Sequence, residues 1–251
     1  MKWLNHKLSL FVLHLILAVV ATTAIAADTP FSDCPQYFPN NAPPVIQQQE
    51  ELKARALCFS GFAVLHSGKT LTPIYVAERL SKAALVASQD IPRTNKYFAE
   101  ARLPVAERST KDDYSGSGFH QWHMAPAGDM GTEESKAQSF SLANMVPQNP
   151  VNNQNAWRKI EADTRKYAMR AEGDVFVITG PVFESDHPTI GSNQVWVPQH
   201  LFKLVYDPST NKAWAHWMDN TEEAKAGKPI SYEELVKRTG IEFLQGWHVL
   251  Q

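Results

Sequence analysis

The sequence predicts an α+β domain built around a largely antiparallel sheet. Strand-like and helix-like segments follow one another without the regular alternation that a parallel sheet needs. Two apolar, β-branched segments, Cys58 to Leu65 and Pro73 to Leu80, flank the turn signal Ser67-Gly68-Lys69-Thr70, which reads as a β-hairpin. The chain has 251 residues, 43% hydrophobic and 20% charged, an ordinary globular balance without internal repeats or low-complexity tracts.

In chain order, Lys2 and Lys7 precede a short apolar run from Leu8 to Val20, and Ala24-Ile25-Ala26 follows as a small-residue cleavage signal. Residues 1–26 therefore read as a secretory signal peptide, and the mature chain is expected in the periplasm or outside the cell, with no further segment that could span a bilayer. Residues 27–55 read as an extension rich in Pro, Asn and Gln, with a short helix expected over Glu50 to Ala56. Residues 56–251 are expected to form the folded domain. Within it, residues 88–118 look loop-like, Phe140 to Met145 looks like a strand, and Val151 to Ala171 carries a long helical pattern. Asp174 to Phe183 is a strong buried strand, followed by strands at Val195 to Val197, Leu201 to Tyr206 and Ala213 to Trp217. Ser231-Tyr232-Glu233-Glu234 is a capping box opening a helix that Gly240 ends.

The formal net charge is −2, and loss of Lys2 and Lys7 with the leader makes the remainder more acidic. A polyanion-binding protein that worked by bulk charge would be basic. Binding of nucleic acid would instead have to rest on local chemistry and a bound cation. The two cysteines, Cys34 and Cys58, fit one disulfide in an exported chain, stapling the extension to the first strand.

Chemistry concentrates in two stretches. Phe119 to Met130 holds His120, Trp122, His123 and Asp129 where flexible Gly/Ser sequence meets compact sequence. A histidine there, with its near-neutral pKa, suits removal of a proton from water. The His-x-x-His spacing of His120 and His123 also has the form of a zinc pair, but no cysteine or second close pair completes it. The second stretch runs from Asn144 to Arg165. Asn153, Trp157, Glu161 and Arg165 recur every four residues, so neighbours in the set share a helix face. Amide and carboxylate oxygens are hard ligands suited to Mg²⁺, which keeps several waters and takes few protein ligands. Asn153 near a first turn is also a residue type that favours capping.

These stretches resemble the DNA/RNA non-specific endonuclease family, the ββα-metal or His-Me finger nucleases that include endonuclease G. The family pattern D-R-G-H-x-A-P-A, N-x-x-P-Q, N-Q-x-x-W-x-x-x-E is matched by His123-Met124-Ala125-Pro126-Ala127, Asn144-Met145-Val146-Pro147-Gln148, Asn153-Gln154-Asn155-Ala156-Trp157 and Glu161. Asp113-Tyr114, Ser117-Gly118 and Thr179-Gly180-Pro181 add to the likeness. The resemblance implies the ββα-metal fold, a central antiparallel sheet flanked by helices. It implies Mg²⁺, or Mn²⁺, as cofactor and DNA and RNA as substrates. It makes His123 the general base, Asn153 the direct metal ligand and Glu161 the carboxylate holding metal-bound water. Asn144 supports the catalytic set, and Arg165 stands near substrate phosphates.

One departure matters. In place of the family's Asp-Arg-Gly, this chain has His120-Gln121-Trp122. Gln121 stands at the position of a phosphate-contacting arginine without its charge, and charge-assisted contacts are the stronger ones. His120 at the substrate, or a cation such as Lys69, Arg93 or Arg158 from another element, would compensate. The alternative reading is a nucleic-acid-binding or structural protein on the same fold with weakened or lost catalysis.

Overall fold

The computed structural model describes residues 30–246, so the leader expected over 1–26 lies outside the described residues. In chain order the strands are β1 (Ala54–Cys58), β2 (Phe62–Ser67), β3 (Thr72–Leu80), β4 (His120–His123), β5 (Met145–Gln148), β6 (Val175–Val182), β7 (Thr189–Ile190), β8 (Val195–Trp196), β9 (His200–Asp207), β10 (Lys212–Asp219) and β11 (Ile230–Ser231). The helices are α1 (Lys82–Ala87), α2 (Lys111–Tyr114), α3 (Glu133–Gln138), α4 (Pro150–Asn152), α5 (Arg158–Ala168) and α6 (Tyr232–Thr239). Seven strands form one sheet in the order β1-β2-β3-β6-β9-β10-β11, with every neighbouring pair antiparallel. The expected α+β architecture is the one observed. Among the described residues no helix is long and apolar enough to cross a membrane.

Successive strand residues face opposite sides of a sheet, and both sides are covered here. Ala63, Leu65, Tyr75, Ile178, Leu204 and Tyr206 pack on one side with Phe31, Phe38, Leu235 and Phe243. Phe62, Val64, Val76 and Leu201 pack on the other with Met124, Val146, Trp157 and Ile160. That double cover explains why β2 is buried along its whole length. Each large apolar side chain so buried contributes about 1.5–3 kcal/mol. The second side carries the two-stranded ribbon β4-β5 and the helix that follows it.

The extension is held by the expected bridge. Cys34 and Cys58 are disulfide-bonded across a sequence separation of 24, which stabilises the fold by about 3 kcal/mol in the chain-entropy account. The helix expected over Glu50 to Ala56 is not formed. Lys53 takes a left-handed φ of 50° that ends the turn before it, and Ala54 onward pairs with β2 as an edge strand. Cys58 to Leu65 is likewise not one strand but the end of β1, a tight turn and the start of β2. The strand expected over Phe140 to Met145 begins only at Met145, because Leu142–Asn144 winds into a 3-10 turn capped by Ser141 Oγ. Helices also arise where none is expected. Ser81 caps α1, and Thr132 with Ser135 forms a reciprocal cap on α3. At the C-terminal end Ser231 caps α6 as expected, but Glu234 turns to Arg238 at 2.8 Å instead of closing the box.

Burial also fixes the charge state of one core histidine. His66 on β2 is fully buried, and its Nε2 contacts the Glu107 carbonyl oxygen at 2.8 Å. Burial drives its pKa down from 6.5 to about 4, opposed by that hydrogen bond and nearby carboxylates. The unfolded chain therefore binds the proton more readily than the folded one. The stability tied to a neutral His66 is complete above pH 6.5 and declines as the pH falls toward 4, by about 3 kcal/mol in total. Urea midpoints at pH 7 and pH 4 should show this loss, and His66→Gln, whose amide keeps a donor for Glu107, should reduce the pH dependence. An equal acid loss in parent and variant would contradict it.

Candidate active site

The ribbon and helix are set up by short-range signals. β4 and β5 pair antiparallel, with His123 opposite Met145 and His120 opposite Gln148. The chain then enters the helix at Pro150, whose fixed φ suits a first helical position. Asn149 is the cap: its Oδ1 accepts from Val151 N at 2.9 Å and Asn152 N at 3.3 Å. The capping role open to Asn153 by residue type thus belongs to Asn149. Asn220 locks the junction from outside, accepting from Asn149 N at 2.8 Å and donating to the Pro147 and Pro198 carbonyls. The long helix expected from Val151 is interrupted. Asn153–Trp157 winds as a π turn between α4 and α5, a distortion frequent at functional sites. Asn153 opens that turn; its side chain lies outside what the structure describes.

His123 is 2% exposed, its ring centroid 4.9 Å from that of Phe140 and 6.1 Å from that of Tyr97. Its buried Nε2 has no hydrogen-bond partner among the described residues. Burial, reinforced by the charge of Arg93, depresses its pKa to about 3. The imidazole is therefore neutral across ordinary pH, the form a proton acceptor requires. Arg93 also stands over Phe140, 5.4 Å from the ring centroid. Of the cations weighed as substitutes for the missing arginine, Arg93 is the one placed beside His123. Lys69 instead pairs with Glu51 at 2.6 Å, and Arg158 is exposed at the start of α5.

Asn144 does something more specific than join the reacting groups. Its Oδ1 accepts from Ala125 N at 2.9 Å, while its Nδ2 donates to the Ala125 and Ser139 carbonyl oxygens, both at 2.9 Å. The amide is fully buried and committed to backbone. It pins the loop leaving His123.

Glu161 projects from α5 into the same region and is 5% exposed. Trp122 Nε1 donates to its Oε1 at 3.3 Å. Burial raises the Glu161 pKa to about 7, with Lys203 and Arg165 opposing, Asp129 adding, and the Trp122 hydrogen bond opposing. Arg165, one turn on, pairs with the buried Asp129 at 2.9 Å and lines a groove of about 600 Å³ with Lys166 and Arg170. Gln121 is half-buried opposite Pro147, and His120 is exposed at the ribbon's end.

The sequence pattern does not reveal the floor of the site. Lys203 on β9 is 1% exposed, donates to Thr179 Oγ1 at 2.8 Å and lies 3.8 Å from Glu78 Oε1 on β3. Its ammonium stands 6.0 Å from the Trp157 ring centroid. A lysine inside the run His200-Leu201-Phe202-Lys203-Leu204-Val205 is the available signal, because buried charges require partners. The same contacts give the Thr179-Gly180 pair its reason. Thr179 holds the ammonium, and a Cβ at Gly180 would lie 2.6 Å from the Ile74 carbonyl oxygen.

The donor chemistry fits a divalent cation. Glu161 is a buried carboxylate with one hydrogen bond, from the indole of Trp122, and, among the described residues, no direct ion pair. Among the described residues no three His, Cys, Asp or Glu side chains gather to hold an ion alone. A Mg²⁺ site built from an amide, a carboxylate and waters does not require them.

The profile of a family described as DNA/RNA non-specific endonuclease matches residues 42–250. The chain belongs to that family. Its relatives in the endonuclease family include the mitochondrial nuclease EXOG of Xenopus laevis, 37% identical over 145 residues, 53% of this chain and 40% of the relative. Nuclease C1 of Cunninghamella echinulata var. echinulata is 32% identical over 170 residues, 62% of this chain and 66% of the relative. Human mitochondrial endonuclease G is 31% identical over 166 residues, 62% of this chain and 54% of the relative. The chain thus spans about half the length of the curated relatives it matches. A crystal structure of EndoG bound to its inhibitor EndoGI overlays with a TM-score of 0.73 at 22% identity, covering 89% of this chain and 94% of that one. That overlay gives the fold: the endonuclease sheet with its ribbon-and-helix module, as the sequence pattern implied.

Proposed function

We propose that this member of the DNA/RNA non-specific endonuclease family is an exported, Mg²⁺-dependent endonuclease that hydrolyses phosphodiester bonds of DNA and RNA. The observation that carries the reading is the buried, neutral His123 with a ring nitrogen that has no partner among the described residues, one residue from the indole that holds Glu161. The neutral imidazole takes a proton from water as the water oxygen bonds to phosphorus. The bond from phosphorus to the 3′ oxygen breaks as that oxygen takes up a proton from solvent, leaving 5′-phosphate and 3′-hydroxyl ends. Arg93 and Arg165 supply fixed positive charge toward the phosphates. Asn153 directly, and Glu161 through water, would hold Mg²⁺ or Mn²⁺, which supplies neutralisation of phosphate charge and stabilisation of the leaving oxygen. Export is supported by the leader sequence and by the Cys34–Cys58 bridge, which an oxidising compartment preserves. Several relatives are named as mitochondrial, so the location of this chain rests on its own leader and bridge.

Purified protein should nick plasmid and degrade single-stranded RNA as Mg²⁺ is titrated, and EDTA should stop both reactions. Retention of nucleic acid in a gel shift with no cleavage at any Mg²⁺ or Mn²⁺ concentration would overturn this in favour of a binding protein, the reading that the His120-Gln121-Trp122 departure motivates.

A further inference from the structure

We propose that Trp122 is a positioning residue for Glu161, its indole N–H fixing the carboxylate that would hold the metal's water. This rests on the proposed function and adds a role that the family's usual glycine at this place cannot play. The ribbon supplies the geometry. Neighbouring residues on a strand point to opposite faces, so β4 sends the His123 ring toward Tyr97 and Phe140 and sends the Trp122 ring into the apolar layer against the sheet. From there Nε1 reaches Glu161 Oε1 at 3.3 Å. No other side-chain hydrogen bond reaches Glu161 among the described residues. A buried carboxylate held by a single donor depends on that donor for its orientation. An indole, rigid and packed on its apolar body, holds its N–H in place at little entropic cost.

The neutrality of the donor also matters. A charged donor bonded to Glu161 would offset the carboxylate's charge, whereas the indole N–H of Trp122 carries no net charge. Trp122 orients the carboxylate and leaves its negative charge available to a cation, with Oε2 free of any side-chain donor among the described residues.

The test is Mn²⁺ binding to the full chain without substrate, read from the disappearance of the free-ion EPR signal. Trp122→Phe keeps an aromatic ring against the core and removes the N–H donor together with part of the indole's volume. We expect it to melt within a few degrees of the parent and to bind Mn²⁺ about tenfold more weakly, the effect of one hydrogen bond to a charged group. Glu161→Gln should also bind more weakly, and adding Trp122→Phe to it should change affinity less than about twofold, because the donor would act through the carboxylate. Unchanged affinity in Trp122→Phe, or an equal loss with and without Glu161→Gln, would overturn the positioning role while leaving the proposed function standing. A parent chain that takes up no Mn²⁺ would overturn both.

Discussion

His123→Ala is expected to lower phosphodiester cleavage about 10²- to 10⁴-fold, the range that a positioned general base contributes. The ring has no other work in the fold that would account for such a loss. Its Nε2 bonds to nothing among the described residues, and its neighbours are the faces and edges of Tyr97, Trp122 and Phe140. Truncation leaves a cavity beneath Tyr97, and stability should drop by roughly 2 kcal/mol, within the range for large-to-small core changes. The two effects are separable. Initial cleavage rates at saturating Mg²⁺ report the first, and urea midpoints report the second. Because burial and Arg93 hold His123 neutral, acidification to about pH 5 should not protonate it, and any loss of rate there must come from another group. A variant that cuts within a factor of about three of the parent would remove His123 from the chemistry.

Asn144→Ala should cost more in stability than any other single substitution at the site, roughly 3–5 kcal/mol. It strands the Ala125 N–H, the Ala125 carbonyl and the Ser139 carbonyl, all deep in the protein, and each buried group left without a partner costs about 1–3 kcal/mol. Asn144→Asp separates geometry from size. It keeps an acceptor for Ala125 N but turns a second acceptor on two carbonyl oxygens, so it should be destabilised as well. Cleavage should fall with both variants, since the loop that leaves His123 loses its anchor. Thermal melts indistinguishable from the parent's would mean that the amide does not brace the loop.

Much of this site is legible in the sequence alone. The ordered motifs that resemble the endonuclease family mark His123, Asn144, Asn153 and Glu161 as candidates, and the apolar pattern picks out the central strands. What stays hidden has a physical cause in each case. β1 looks helical because its Glu-Leu-Lys-Ala-Arg-Ala stretch has high helix propensity, and pairing with β2 overrides it. The π turn has no residue signature, since Asn153 to Trp157 also fits a regular helix. Asn144 is legible as important and illegible as a brace, because its three partners are backbone groups 5 and 19 residues away. Lys203 and Glu78 meet only through strand order β3-β6-β9, which no local pattern encodes.

The ends of the large sheet have a bearing on colloidal behaviour. A strand with an open side is a template on which another chain can extend the sheet and start an aggregate. At one end β11 offers only two residues. At the other, β1 turns the charged Arg55 outward, ion-paired to Glu107 at 2.6 Å, and is tied through Cys58 to the segment carrying Cys34. Loss of that tether is expected to loosen the guarded border, so reducing the bridge should favour stacking of copies along β1 as well as lower the stability of the native state.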